Sequence, residues 1–311
     1  MQIIISAIFN FICLLGIGSL TNNLFKYTSL TFYQSIFLKI SFGIFLSAIF
    51  TTLSNFFFPI NINLANIFTI LSFFFGLYFV LKDKKNKEYF LILCVVGILS
   101  FLLIYKSSNV LDFGLYHGSY LSILNNEKII FGIANIHFRF GHSSILQETQ
   151  AIFNNFLFYP NNFQTLILVF YVAFIFFVGE NLFNKNYLIK NRELYFFCLF
   201  LLILICTKIY RFNDLGNDLM PNLINFYIWI ECIKLFLNKD LYSKKMITNY
   251  FKILLTLYLF CVFLKIQFIL SIVPIIFIYF FLNKKIIFKK ILNYSMIFLV
   301  PITVLFLTKN F

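Results

Sequence analysis

"LANIFTILSFFFGLYFVLKDKKNKEYFLILCVVGILSFLLIY", residues 64–105, decides the fold class. Two runs without a charged residue, 64–81 and 89–105, flank the block "KDKKNKE" at 82–88. As α-helices at about 1.5 Å per residue, these runs approach the roughly 30 Å hydrocarbon thickness of a bilayer. A chain in lipid must satisfy its backbone hydrogen bonds within itself, and consecutive helices do so.

The same alternation of apolar run and lysine block recurs along all 311 residues, in "KNYLIKNRE" at 185–193, "NKDLYSKK" at 238–245 and "NKKIIFKK" at 283–290. Hydrophobic residues make up 61% of the chain and charged residues 12%. Soluble domains are about half apolar and about a quarter charged, so this chain lacks the polar groups to cover a water-facing surface. The expected class is an all-α, polytopic transmembrane bundle. A net charge of +14 invites a nucleic-acid partner, but its placement in short blocks between spans excludes that reading. Lysines so placed mark cytoplasmic loops. All six cysteines lie within apolar runs and none forms a CxxC, so neither a disulfide framework nor a zinc–thiolate site is expected.

About ten spans are expected, at 3–20, 40–58, 64–81, 89–105, 164–182, 194–210, 221–237, 250–264, 267–282 and 292–308. Strict alternation puts 21–39 and the four lysine blocks on the cytoplasmic side and the N-terminus outside. The opening "MQIIISAIFNFICLLGIGSL" has no basic region and no small-residue cleavage site, so it reads as a first span rather than a signal peptide. Residues 250–282 are tight for two crossings, which predicts short tilted helices or a re-entrant hairpin with Lys265 at its turn.

One long stretch, 106–163, has no span and falls outside the cytoplasm. It holds all three histidines, His117, His137 and His142. "DFGLYHGSYLSILNN" puts Phe113, Tyr116, Tyr120 and Ile123 on one helical stripe. Ser144-x-x-Gln147 reads as a capping box opening a second helix with Ile145, Thr149, Ile152, Phe153 and Phe156 along one face. Two amphipathic helices lying on the membrane surface are expected here.

Several polar side chains stand out. Asp112 reads either as a helix N-cap or as a general base taking a proton from an attacking hydroxyl. In "NIHFR", Asn135, His137 and Arg139 point one way if extended, and the Arg139 fork suits a phosphate. His117 reads as an interfacial aromatic or a substrate contact. The three histidines with Asp112 have the chemistry of a divalent-metal site, but their spacing fits no zinc signature, so no metal ligand is assigned and the cofactor stays unknown. Asp214 and Asp218 share a helical face in "RFNDLGNDLMPN" at 211–222, where they either complement a helix dipole or face Asp112. Lys265 reads as an interfacial lysine or a second phosphate contact. Glu231 and Lys234, within a span, are expected to pair at i, i+3.

Residues 112–144, "DFGLYHGSYLSILNNEKIIFGIANIHFRFGHSS", resemble a group of bacterial envelope membrane proteins with the pattern D-x-x-L-Y-H, a short helix, then G-x-x-N-x-H-x-R-x-x-x-x-S-S. Asp112, Leu115, Tyr116, His117, Gly132, Asn135, His137 and Arg139 match it position by position, and Ser143 and Ser144 follow one residue closer. "NDLMP" at 217–221 is similar to the start of a later span in such proteins, and "FLKIQFILSIVP" at 263–274 to the lysine-bearing hairpin of GT-C glycosyltransferases. The resemblance implies three added N-terminal spans over 1–88 and a GT-C-like membrane core over 89–311 with the external loop 106–163. The chain closes at "LTKNF", just past a span, as a fragment of a longer protein would.

The activity implied is transfer of a sugar from a polyprenyl-phosphate donor, at the outer face of a cell inner membrane, during cell-surface polysaccharide or glycolipid assembly. Asp112 would be the catalytic base, and His117, Asn135, His137, Arg139, His142, Asp214, Asp218 and Lys265 would bind substrate. The donor and membrane lipid are the expected partners. An O-antigen polymerase or ligase, a flippase of lipid-linked sugar and a non-enzymatic assembly subunit are the alternatives.

Overall fold

The apolar runs fold as helices in the computed structural model, which describes residues 1–25, 30–104, 117–133, 144–157, 163–183, 191–207, 218–282 and 286–310. In chain order these are α1 (Gln2–Ser19), α2 (Phe32–Asn55), α3 (Ile62–Lys82), α4 (Asn86–Ile104), α5 (Gly118–Asn126), α6 (Ile145–Ile152), α7 (Phe163–Phe183) and α8 (Arg192–Thr207). There follow α9 (Leu219–Leu237), α10 (Lys244–Leu264), a 3₁₀ segment (Ile266–Ser271), α11 (Ile272–Leu282), α12 (Phe288–Tyr294), a π-helical turn (Ser295–Leu299) and α13 (Val300–Asn310). The described residues contain no strand. Among the described residues, seven helical stretches are long and apolar enough to cross a membrane: α1, α2, α3, α4, α7, α10 and the run Phe288–Lys309.

The core is built around α1 and α7. Helix α1 is wedged among α2, α3, α4 and α7. Its backbone approaches its neighbours so closely that a Cβ added at Gly18 would collide with the Lys39 carbonyl, and one added at Gly76 with the Ile12 carbonyl. Small residues allow this approach, and in lipid close van der Waals packing replaces the hydrophobic drive between helices. Helix α7 is joined to α2 and α9 through rings: Phe37 lies 4.9 Å from Tyr227 and 5.2 Å from Phe170. By contrast, α3 and α4 turn rows of large apolar side chains outward, among them Leu71, Phe74, Phe90 and Leu102, the surface a bilayer would cover.

The two ends of the bundle differ in chemistry. At one end, Lys85 lies over the Phe32 ring, Thr31 donates to Glu180, and Lys239 lies over Phe281. These are the lysine-block turns. At the other, Asn55 Nδ2 donates to the Leu124 and Glu127 carbonyls, Ile60 N–H donates to Leu124, and Gln2 Nε2 donates to the Leu157 carbonyl. The described residues around Leu124, Glu127 and Leu157 therefore lie at the opposite end of the same helices.

Three sequence expectations are revised. The second helix of that segment is short, Ile145–Ile152, and is buried on every side rather than lying on the membrane surface. The tightness of 250–282 disappears because α10 starts earlier, at Lys244, with Ser243 Oγ accepting from Met246 N–H as its cap. That gives one helix of 21 residues, and only the following apolar stretch, Ile266–Leu282, remains short. The last span is broken by a π turn just before Pro301, a residue that lacks an N–H to continue the ladder.

Candidate functional site

The polar centre of the bundle is α6, "ILQETQAI", enclosed by α2, α3, α5 and α10. Thr149 Oγ1 donates to the Ile44 carbonyl at 3.1 Å, and Ile44 lies halfway along α2, so α6 sits deep within the bundle. Ser144 caps its start, with Oγ accepting from Leu146 N–H at 3.3 Å. The predicted capping box is only half realised, because Gln147 turns away from the cap and meets Nδ1 of His117. With the amide donating, Nδ1 accepts and the imidazole proton sits on Nε2.

Glu148 is fully buried. Its Oε1 takes the Tyr120 hydroxyl at 3.1 Å and pairs with Nζ of Lys309, from the end of the last span. Lys309 also lies 5.1 Å from the centre of the Tyr120 ring. A carboxylate and an ammonium removed from water cost several kcal/mol each unless paired and hydrogen-bonded, and this arrangement supplies both. Three polar atoms of α6 have no hydrogen-bond partner among the described residues: Gln147 Oε1, Glu148 Oε2 and Gln150 Nε2. Most buried polar groups are satisfied, so three on one eight-residue helix is unusual.

A second pair lies at the same end of the bundle. Lys265, at the end of α10, meets Asp218, at the start of α9, with about a third and a half of their side chains exposed. Two residues nominated separately from sequence thus come together. Pro221 stands in the first turn of α9, where its missing N–H costs no helical hydrogen bond. Glu231 and Lys234 form the predicted buried pair at 2.8 Å, with the ammonium 4.9 Å from the Phe177 ring centre.

Asp112, Asn135, His137, Arg139, His142 and Asp214 lie outside the described residues. Of the nominated residues, His117, Asp218 and Lys265 are described, and His117 alone joins the α6 cluster. Among the described residues no group of three His, Cys, Asp or Glu side chains is placed to hold a metal.

Sequence reasoning missed Glu148, Tyr120 and Lys309 as partners. A signal for α6 was present: no Lys or Arg stands between Arg139 and Lys185. Helices that lie on a membrane surface carry such residues on their polar face. An acid in a stretch without cations belongs inside.

These features define a multi-pass membrane protein with a buried polar centre on a short helix enclosed within the bundle. The chain belongs to the family described as "Domain of unknown function (DUF8201)", whose model matches residues 1–311. No curated protein and no solved structure matches it.

Proposed function

We propose that the chain is a GT-C-like glycosyltransferase of a cell inner membrane, crossing the bilayer about ten times and using a polyprenyl-phosphate-linked sugar as donor in cell-surface polysaccharide or glycolipid assembly. Helices α8, α9 and the Ile266–Leu282 stretch complete the ten crossings, with the lysine blocks facing the cytoplasm. The observation that carries the reading is Glu148, a carboxylate fully buried deep in the bundle on a helix of the histidine-bearing segment. Ionisable residues inside a membrane bundle mark functional sites by default. A polar site within the membrane bundle suits a donor with a lipid tail and a polar head.

In the reaction assigned here, an acceptor hydroxyl oxygen attacks the anomeric carbon of the sugar. The bond from that carbon to the phosphate oxygen breaks, Asp112 takes the hydroxyl proton, and polyprenyl phosphate leaves. Arg139 and Lys265 hold the phosphate, with His117, Asn135, His137, His142, Asp214 and Asp218 around the sugar and acceptor. General-base catalysis contributes roughly 10²–10⁴-fold. The full chain in lipid nanodiscs, given a polyprenyl-phosphate sugar, should show turnover that Asp112→Asn reduces by about that factor. Absence of turnover in the unaltered chain sinks the reading.

Transport of lipid-linked sugar is the second reading. It is favoured by two buried ion pairs among the described residues, Glu148–Lys309 and Glu231–Lys234, on different helices of the bundle. Movement of a labelled sugar-lipid across vesicles without turnover, lost in Glu231→Gln, would decide for it.

A further inference from the structure

The α6 cluster has more polar capacity than its neighbours use. Glu148 Oε1 is doubly engaged, by Tyr120 and Lys309, while Oε2 has no partner among the described residues. Gln147 gives its amide nitrogen to His117 and keeps an unpartnered Oε1, again among the described residues. Gln150 is three residues on, on the same face as Gln147, with an unpartnered Nε2 on the same terms. All three side chains are more than nine-tenths buried: Gln147 is 2% exposed, Glu148 0% and Gln150 3%. The fold gains nothing from the three atoms that stay unmet among the described residues. Leaving such an atom unmade costs about 1–3 kcal/mol, whereas an apolar side chain of the same shape is neutral or stabilising. Retained polar capacity of this kind belongs to a ligand.

The pattern of unmet groups identifies the ligand's chemistry. Gln147 Oε1 and Glu148 Oε2 accept and Gln150 Nε2 donates, so the ligand must both donate and accept. A phosphate offers acceptors alone and would be repelled by Glu148. Vicinal hydroxyls of a sugar do both. We infer that α6 is a sugar-binding helix: Gln147 and Gln150, which share one face, hydrogen-bond the hydroxyls of a carbohydrate group, with His117 holding the Gln147 amide and with Tyr120 and Lys309 holding the Glu148 carboxylate on the adjoining side. This rests on the sugar-transfer reading above and deepens it by separating the sugar contacts on α6 from the phosphate contacts. Gln147 and Gln150 are binding residues here and take no proton.

The test uses the full chain in nanodiscs and four probes: polyprenyl-phosphate glucose, polyprenyl-phosphate N-acetylglucosamine, polyprenyl phosphate and methyl glucoside. Binding is read as a saturable rise in Tm. Gln150→Leu removes the unmet donor at similar volume, so the ligand-free protein should melt at the same temperature or higher. Its affinity for the sugar-lipid that stabilises the unaltered chain should fall about tenfold or more, the equivalent of one hydrogen bond. Affinity for sugar-free polyprenyl phosphate should not change. Gln147→Met serves as a second variant if Gln150→Leu fails to fold. Unchanged sugar-lipid affinity in both variants overturns the inference, as does a chain whose Tm no probe raises. If sugar-lipid turnover depends on Asp112 while Gln150→Leu binds normally, the sugar-transfer reading stands and the inference on α6 falls. If methyl glucoside binds in a Gln150-dependent way and neither sugar-lipid does, the inference stands and the lipid-donor reading falls.

Discussion

Helices α1 and α6 are both buried, and for opposite reasons. Helix α1 is apolar and held by backbone contacts that only glycine permits, at Gly18 from its own side and at Gly76 from α3. Helix α6 is half polar by composition and held by hydrogen bonds and one ion pair drawn from α2, α5 and α13. In lipid, moving an apolar side chain from solvent to protein gains little, so α1 needs closeness of fit to hold its place. Polar side chains in the same surroundings gain from each partner and lose from each vacancy, so α6 carries a legible record of what is satisfied. A buried apolar helix therefore speaks of assembly, and a buried polar helix with unmet groups speaks of a ligand.

The sharpest way to break the contrast is to remove the cation. Lys309→Met leaves Glu148 buried with the Tyr120 hydroxyl as its one described partner, and breaking a buried pair in this way costs about 3–5 kcal/mol. Unfolding of the variant in mixed detergent micelles should shift accordingly. The double change Lys309→Met with Glu148→Leu should recover most of the loss, since an apolar pair of similar volume is neutral or stabilising. A single variant as stable as the unaltered chain would mean that the pair does not hold the last span to α6.

A smaller loss is expected from overpacking the other helix. Gly76→Val pushes a side chain against the Ile12 carbonyl and should cost about 1–3 kcal/mol, read in the same unfolding assay. Gly97→Ala is the control. Its Cβ would meet the flexible Ile4 Cγ2 at 3.3 Å, which can give way, so stability should change little. Equal losses at both positions would remove the claim that α1 is fixed by backbone approach.

How much of this was written in the sequence follows the same divide. The long apolar helices were legible because lysine blocks break the apolar sequence at alternate turns, and the short pair Glu231–Lys234 was legible because both partners sit one turn apart. Helix α6 was misjudged because its eight residues have the period of an interfacial helix, and its partners come from distant parts of the chain. Tyr120 lies 28 residues away, and Lys309 waits at the end of the last span. The Asp218–Lys265 pair illustrates the middle case. Each residue was conspicuous alone, as an acid near a helix start and a lysine at a hairpin turn, but only the approach of α9 to α10 joins them.

That pair also gives the smallest effect and the finest test of how the two polar regions divide their labour. Both side chains are partly exposed, so Lys265→Met should change stability by no more than about 1 kcal/mol. Binding should respond more. If Lys265 takes the donor's phosphate, Asp218 is the counter-ion that the phosphate must displace. Asp218→Asn should then strengthen binding of sugar-free polyprenyl phosphate, and Lys265→Met should weaken it. Both effects should shrink as salt rises, because exposed charges are screened over about 8 Å at physiological ionic strength. The buried Glu148 is shielded from that screening, so the Gln150-dependent part of sugar-lipid binding should persist in salt that erases the Lys265-dependent part. Opposite signs for the two single changes with matched salt dependence would identify the rim as the phosphate contact, while equal losses from both would reduce the pair to a clasp between two helices.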